Sequence, residues 1–225
     1  TAATSARPAA TWGSAAELNI RRRRVLGASG VGADPLALLQ ALAARRSVDA
    51  HALRPPAPPP EVLQRAAELT LGAPDHQGLR PVRFVHVGSE ERAALGELFA
   101  RAAAATGRDA SGVINARERA FTGPGLLAVV GRIPGDGPGV PPYEQWLSAG
   151  AALMILLQAL HLQGYGAKVL GGRAARSEVV RRAFCTEGEQ LACWIITGTR
   201  DPAAEEPKPP DMRRELLTDW SPAPS

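Results

Sequence analysis

A mixed α+β fold is the architecture this sequence predicts, and three observations predict it. Apolar residues recur at helical spacing through several long segments. Between those segments lie short alternating or wholly apolar runs, at residues 82–87, 126–130, 166–170 and 191–197, that read as strands. Helices outweigh strands, and no internal repeat divides the 225 residues, so one mixed domain is expected.

The elements follow in order. Residues 1–34 show no sustained period and are expected to form a disordered basic tail, with residues 35–225 forming the domain. Asp34-Pro35 marks a helix start, an N-cap followed by proline in the first turn. That helix carries an apolar face as far as Arg45-Arg46-Ser47. Prolines at 55, 56, 58, 59 and 60 then exclude both regular helix and a central strand. A second helix is expected over 60–71, with Val62, Leu63, Ala66, Ala67 and Leu69 inward, followed by a Gly- and Pro-containing loop over 72–81. After the strand at 82–87, helices are expected over 90–105 and 112–121. The strand at 126–130 is followed by the longest helix, opened by Pro142 and closing near Gly164. Its middle, 147–160, is apolar on nearly all sides, which predicts burial against its own sheet and a partner subunit. Polar Ser148 and Gln158 argue against a membrane span. Ser177 is expected to cap a helix reaching Phe184, and the tail beyond Arg200 either dangles or wraps a partner.

Composition narrows the function. The 26 basic residues exceed the 22 acidic ones by four, the length of the run Arg21–Arg24, so the rest of the chain is balanced. Such a run reads as a solvated arm; a nucleic-acid arm is the alternative, and no nucleic-acid partner is expected. Two cysteines, Cys185 and Cys193, are too few for a disulfide framework and lack metal-ligand spacing. Both sit in apolar surroundings and are expected to be buried and reduced. With no apolar leader segment after the arginines, a cytoplasmic protein is expected. No hydrolase, kinase or metal signature is present.

Four segments carry potential chemistry. Arg45-Arg46-Ser47 offers two guanidinium groups and a hydroxyl suited to a phosphate or a ribityl chain, although arginines at a helix end also complement its dipole. Ala73-Pro74-Asp75-His76, followed by Pro81-Val82-Arg83-Phe84, is a loop stiffened by proline on both sides of His76. Glu144-Gln145 with Ser148-Ala149-Gly150 is a polar helix start running into small residues. Gly164-Tyr165-Gly166, and then Gly171-Gly172-Arg173, let backbone approach a flat ring or a phosphate.

In this order, and with the final strand Trp194-Ile195-Ile196-Thr197-Gly198-Thr199, these segments resemble the nitroreductase family, in its compact bacterial branch, over roughly residues 36–220. The resemblance implies a sandwich with a central, mostly antiparallel sheet flanked by helices, dimeric with an exchanged C-terminal arm and one FMN per subunit at the interface. It assigns Arg45, Arg46 and Ser47 to the FMN phosphate and ribityl chain and His76 to the flavin held by the other subunit. It further assigns Leu170, Gly171 and Gly172 to the flavin's flank and Lys208 to its phosphate. Relatives carry Trp-Arg-Ser-Gly where this chain has Val169-Leu170-Gly171-Gly172, so Arg173 becomes the candidate replacement for a missing arginine. Gly72 also stands where some relatives have a flavin-contacting arginine, and Val82 where tryptophan is usual. The implied activity is an FMN-dependent NAD(P)H oxidoreductase of ping-pong type. It would accept hydride from NADH or NADPH and reduce a nitroaromatic or quinone-like small molecule. No protein group would be strictly catalytic, because the flavin carries the chemistry. Alternatives on the same fold are a flavin destructase or dehalogenase, or a degenerate flavin-binding protein without turnover.

Overall fold

The structure is a computed structural model describing residues 34–135, 139–172, 177–205 and 216–220. The chain divides into a unit ending at Ala44 and a second running from Arg45 to Ser225. In the first, α1 (Pro35–Ala44) begins where the sequence predicts: the Asp34 carboxylate accepts the Leu36 N–H at 3.1 Å.

The second unit is built on five strands: β1 (Leu53–Arg54), β2 (Val82–His86), β3 (Gly125–Arg132), β4 (Tyr165–Leu170) and β5 (Glu189–Arg200). All pair antiparallel, as expected for the sheet. The 12-residue β5 is the spine. It takes β3 along one side, with β2 beyond, while β4 and the short β1 pair with its C-terminal half. One parallel bridge, Ser47 to Ala167, adds the segment after α1 to the free side of β4. The two-residue β1 was not foreseen; it lies just before the prolines.

Strand alternation divides the core into two layers. Leu126, Ala128 and Val130 face one side of the sheet, and Leu127 and Val129 face the other. A bulge in β5 keeps its pattern in step with β3, since Val129 pairs with Cys193 and Val130 with Leu191. The extra residue, Ala192, lets Leu191 and Trp194 share a face although they are three apart. On that face lie α3 (Arg92–Ala105), α4 (Ala110–Glu118) and α6 (Glu178–Phe184). Phe99 of α3 and Phe184 of α6 meet the Trp194 ring edge-on at 5.4 and 5.1 Å. Buried Arg92 stitches this layer together by donating to the carbonyls of Val87, Ala120 and Pro124. The opposite face is covered by α2 (Pro60–Leu69) and α5 (Pro142–Leu162), with Leu63, Leu156 and Leu160 against Leu127 and Ile195.

The long α5 packs one face on the sheet through Gln145, Ala149, Ala152, Leu156 and Leu160, whereas Tyr143, Leu147, Gly150 and Met154 form an exposed stripe on the side for which the sequence predicts a partner subunit. Other sequence expectations need correction. Ser177 occupies the N-cap of α6, but its side chain makes no capping bond. Of the cysteines, Cys193 is buried, its thiol pushed up to about 11 by desolvation, while Cys185 is only half-buried.

Candidate active site

The loop before β2 is shaped by a single carboxylate. Asp75 accepts the backbone N–H of Leu79 at 3.0 Å and of Arg80 at 2.7 Å, one on each oxygen. These bonds close a tight loop in which Gln77, Gly78 and Arg80 all adopt positive φ, at 67°, 67° and 50°. Left-handed backbone at two non-glycine residues is unfavourable without such tethering. The loop presents His76 on its outside, 61% exposed, with Nδ1 3.1 Å from Glu144 Oε2 at the start of α5. Tyr143 donates its hydroxyl to the other Glu144 oxygen at 3.1 Å. Together the His76 and Tyr143 hydrogen bonds hold the Glu144 carboxyl below the usual carboxylate range. The Ala-Pro-Asp-His loop and the Glu-Gln helix start, far apart in sequence, therefore meet through their polar tips.

Glu144 received no role of its own from the sequence. The available signal was a carboxylate in the first turn of a helix, which ordinary dipole stabilisation also explains. The adjacent Gln145 is buried and structural: its amide donates to the carbonyls of Val140 and Pro134 at 2.7 and 3.2 Å.

A second group of residues gathers around β4. Ser47 is exposed and anchored by the bridge to Ala167, with Val48 N–H donating to Ala167 O at 3.1 Å. Beside it, Lys168 pairs with Asp49. Arg45 and Arg46 are half-buried; Arg46 donates to the Arg45 carbonyl at 2.8 Å. The Arg45 Nε is buried and has no hydrogen-bond partner among the described residues. Such an orphaned charged donor suits an anionic oxygen. Leu170 is half-buried at the end of β4; Gly171 and Gly172 are exposed beyond it. A methyl group placed on either glycine would meet nothing within 4 Å. An open, side-chain-free ledge of this kind accepts a flat ring closely. Arg173 and Lys208 lie outside the described residues.

The two groups stand at opposite edges of the sheet. β2, which follows the His76 loop, is separated from β4 by β3 and β5. At about 4.8 Å per strand, that places the two edges about 14 Å apart, and Ser47 flanks β4 on its far side. A single copy thus brings His76 to Glu144, and Ser47 to β4, but does not bring the two groups together.

Comparison with known proteins gives this arrangement a family. The family model described as "Nitroreductase family" matches residues 42–199. A protein of Escherichia coli K12 named "Putative NAD(P)H nitroreductase YdjA" is 34% identical over 162 residues, covering 72% of this chain and 87% of that protein. A Haemophilus influenzae protein described as a nitroreductase of the same kind is 31% identical over 154 residues, 68% of this chain and 84% of its own. Among solved structures, a nitroreductase-like family protein from Bacillus cereus superposes with a TM-score of 0.67 at 17% identity, over 84% of this chain and 99% of that one. A nitroreductase with bound FMN from Desulfitobacterium hafniense superposes at 0.57 and 21% identity, over 80% and 97%. The sandwich, the motifs it positions and these matches agree: the chain is an oxidoreductase of the nitroreductase family.

Proposed function

We propose that the protein is a homodimeric, FMN-dependent NAD(P)H oxidoreductase that reduces nitroaromatic or quinone-like acceptors by a ping-pong cycle. The separation of the two candidate groups on one chain carries this reading. Phosphate and ribityl donors lie at the β4 edge, and the His76–Glu144 pair lies at the other, so one site needs both edges from two copies. The exposed stripe Tyr143, Leu147, Gly150 and Met154 on α5 supplies a surface for that second copy. The E. coli and H. influenzae relatives, named as NAD(P)H nitroreductases, and the FMN-bound neighbour support the choice of cofactor and co-substrate.

The residues fit FMN in named roles. Arg45, Arg46 and Ser47 would hold its phosphate and ribityl chain, with the orphaned Arg45 Nε finding an anionic oxygen. Gly171 and Gly172 would lie under the ring, Leu170 would pack its edge, and Lys208 would reach the phosphate. Arg173 would sit where reduced flavin carries negative charge. His76 would reach the cofactor held mainly by the other subunit, its ring oriented by Glu144. When bound, FMN supplies the redox chemistry, taking hydride from NAD(P)H and passing it to the acceptor. Two free cysteines among the described residues suit a reducing, cytoplasmic setting.

Charging the α5 stripe tests the shared site. Leu147 is 69% exposed, so Leu147→Glu should leave the subunit fold intact by circular dichroism. It should yield a monomer by sedimentation and abolish FMN uptake. A folded monomer that binds FMN as tightly as the parent would overturn the shared site.

A further inference from the structure

One arginine in the same region is left without work by the site described above. A cleft of about 310 Å³ opens between the His76 loop and α5, lined among others by Leu71, Asp75, Arg80, Val82 and Ser148. Ser148 lies one helical turn after Glu144, so the cleft adjoins the His76–Glu144 pair. Its walls mix apolar and polar atoms, and its volume suits part of a cofactor-sized molecule.

Arg80 is the cationic group of this cleft. Its backbone is fixed at φ 50°, with its N–H held by Asp75 Oδ2 at 2.7 Å. The second Asp75 oxygen takes the Leu79 N–H at 3.0 Å, so the nearest carboxylate is committed to backbone donors. Among the described residues no carboxylate forms an ion pair with the Arg80 guanidinium. Other arginines here, such as Arg83 and Arg181, close bidentate pairs with acids. A backbone position that is unfavourable for arginine, locked by a dedicated carboxylate, keeps a free planar donor fork at a cleft wall.

We propose that Arg80 binds a phosphate of the incoming pyridine nucleotide, fixing NAD(P)H in the cleft beside the His76–Glu144 pair. This rests on the proposed function and deepens it by naming what holds the co-substrate. A guanidinium recognises phosphate bidentately, through two parallel N–H donors. FMN also carries a phosphate, and the test separates the two sources.

The test compares the parent with Arg80→Gln and Arg80→Lys as full-length protein. Isothermal titration of NADP⁺ into the protein should show about tenfold weaker binding for Arg80→Gln, with partial recovery in Arg80→Lys. In the FMN-loaded protein, the KM for NADPH should rise by a similar factor with kcat little changed. The KM for 1-benzyl-1,4-dihydronicotinamide, a reductant without phosphate, should not move. FMN and riboflavin affinities, read from flavin fluorescence, should also be unchanged. Weakened FMN binding with riboflavin unaffected would assign the phosphate to the flavin and overturn the proposal. Equal effects on both reductants, or unchanged NADP⁺ binding, would overturn it too. A parent protein that binds no flavin would sink the oxidoreductase reading instead, while the NADP⁺ titration would still decide the role of Arg80.

Discussion

His76 Nδ1 and Glu144 Oε2 lie 3.1 Å apart and join a loop and a helix start that are 68 residues apart in sequence. The carboxyl is held ionised to a lower pH than an ordinary glutamate, chiefly by the His76 bond and then by the Tyr143 bond. A carboxyl depressed on folding contributes its tie fully above its unfolded value, and the tie is lost as pH falls through the folded one. Glu144→Gln removes the charge and keeps the shape. It should lower kcat/KM severalfold and speed amide exchange across residues 73–81, with the fold unchanged. Unaltered exchange in that loop would show that the pair does not position it.

Asp75 is expected to act through the loop and not through the cofactor. Asp75→Ala strands the N–H groups of Leu79 and Arg80 and frees a backbone with positive φ at residues 77, 78 and 80. Because the loop is largely exposed, the global cost should stay near 1 kcal/mol, as for the loss of a capping carboxylate. The functional loss should exceed it, with KM for NAD(P)H rising more than kcat falls. Asp75→Asn, which keeps one acceptor, should recover part of the loss.

Glu189, the first residue of β5, ties β2 and β3 together where β2 begins. Its side chain is only 1% exposed and takes Arg83 in a bidentate pair at 2.9 and 2.6 Å, Arg132 at 3.3 Å and the Thr186 N–H at 2.9 Å. The Arg83 bonds lead in holding its carboxyl far below the ordinary value of 4.5. Its contribution is therefore present above that value and lost only as pH falls well below it. Glu189→Ala leaves Arg83 unpaired beside the core and should cost about 3 kcal/mol by urea unfolding at neutral pH. Glu189→Gln should remove part of the parent's acid sensitivity. An acid-unfolding profile identical to the parent's would contradict the assignment.

Trp194 is the keystone of the α3–α4–α6 layer, 6% exposed and edge-on to both Phe99 and Phe184. Trp194→Ala should destabilise by about 3–5 kcal/mol. Phe99→Leu, which keeps most of the volume, should cost less than half as much. A double variant should be less destabilised than the sum, because the two rings share a contact.

Most of the fold was legible because its signals are local. Periodicity found α2, α3 and α5, and Asp34-Pro35 placed the start of α1. Alternation found β2, and short apolar or β-rich runs found β3 to β5, although β5 proved longer because its ends, Glu189 and Arg200, are polar. The two-residue β1 is fixed by pairing with β5 and by nothing in its own sequence. Residues 147–160 are apolar on nearly every side, so the sequence predicts cover from both the sheet and a partner subunit but does not say which side faces which; only packing shows which side the sheet covers. In the candidate site, His76 and the glycine ledge were visible as motifs. Glu144 was visible only as a helix-start carboxylate, and Asp75's grip on the loop depends on backbone geometry that the sequence does not display.

The central claim, that FMN bound by this chain takes hydride from NAD(P)H, is tested most directly by an absorbance spectrum of the purified protein. It would be recorded without oxygen, before and after adding NADPH. Flavin bands at about 370 and 450 nm, values expected of a protein-bound flavin, should bleach on addition and return when a quinone is supplied. A protein that stays colourless and does not take up added FMN, or one whose flavin bands persist with NADPH and NADH alike, would contradict it.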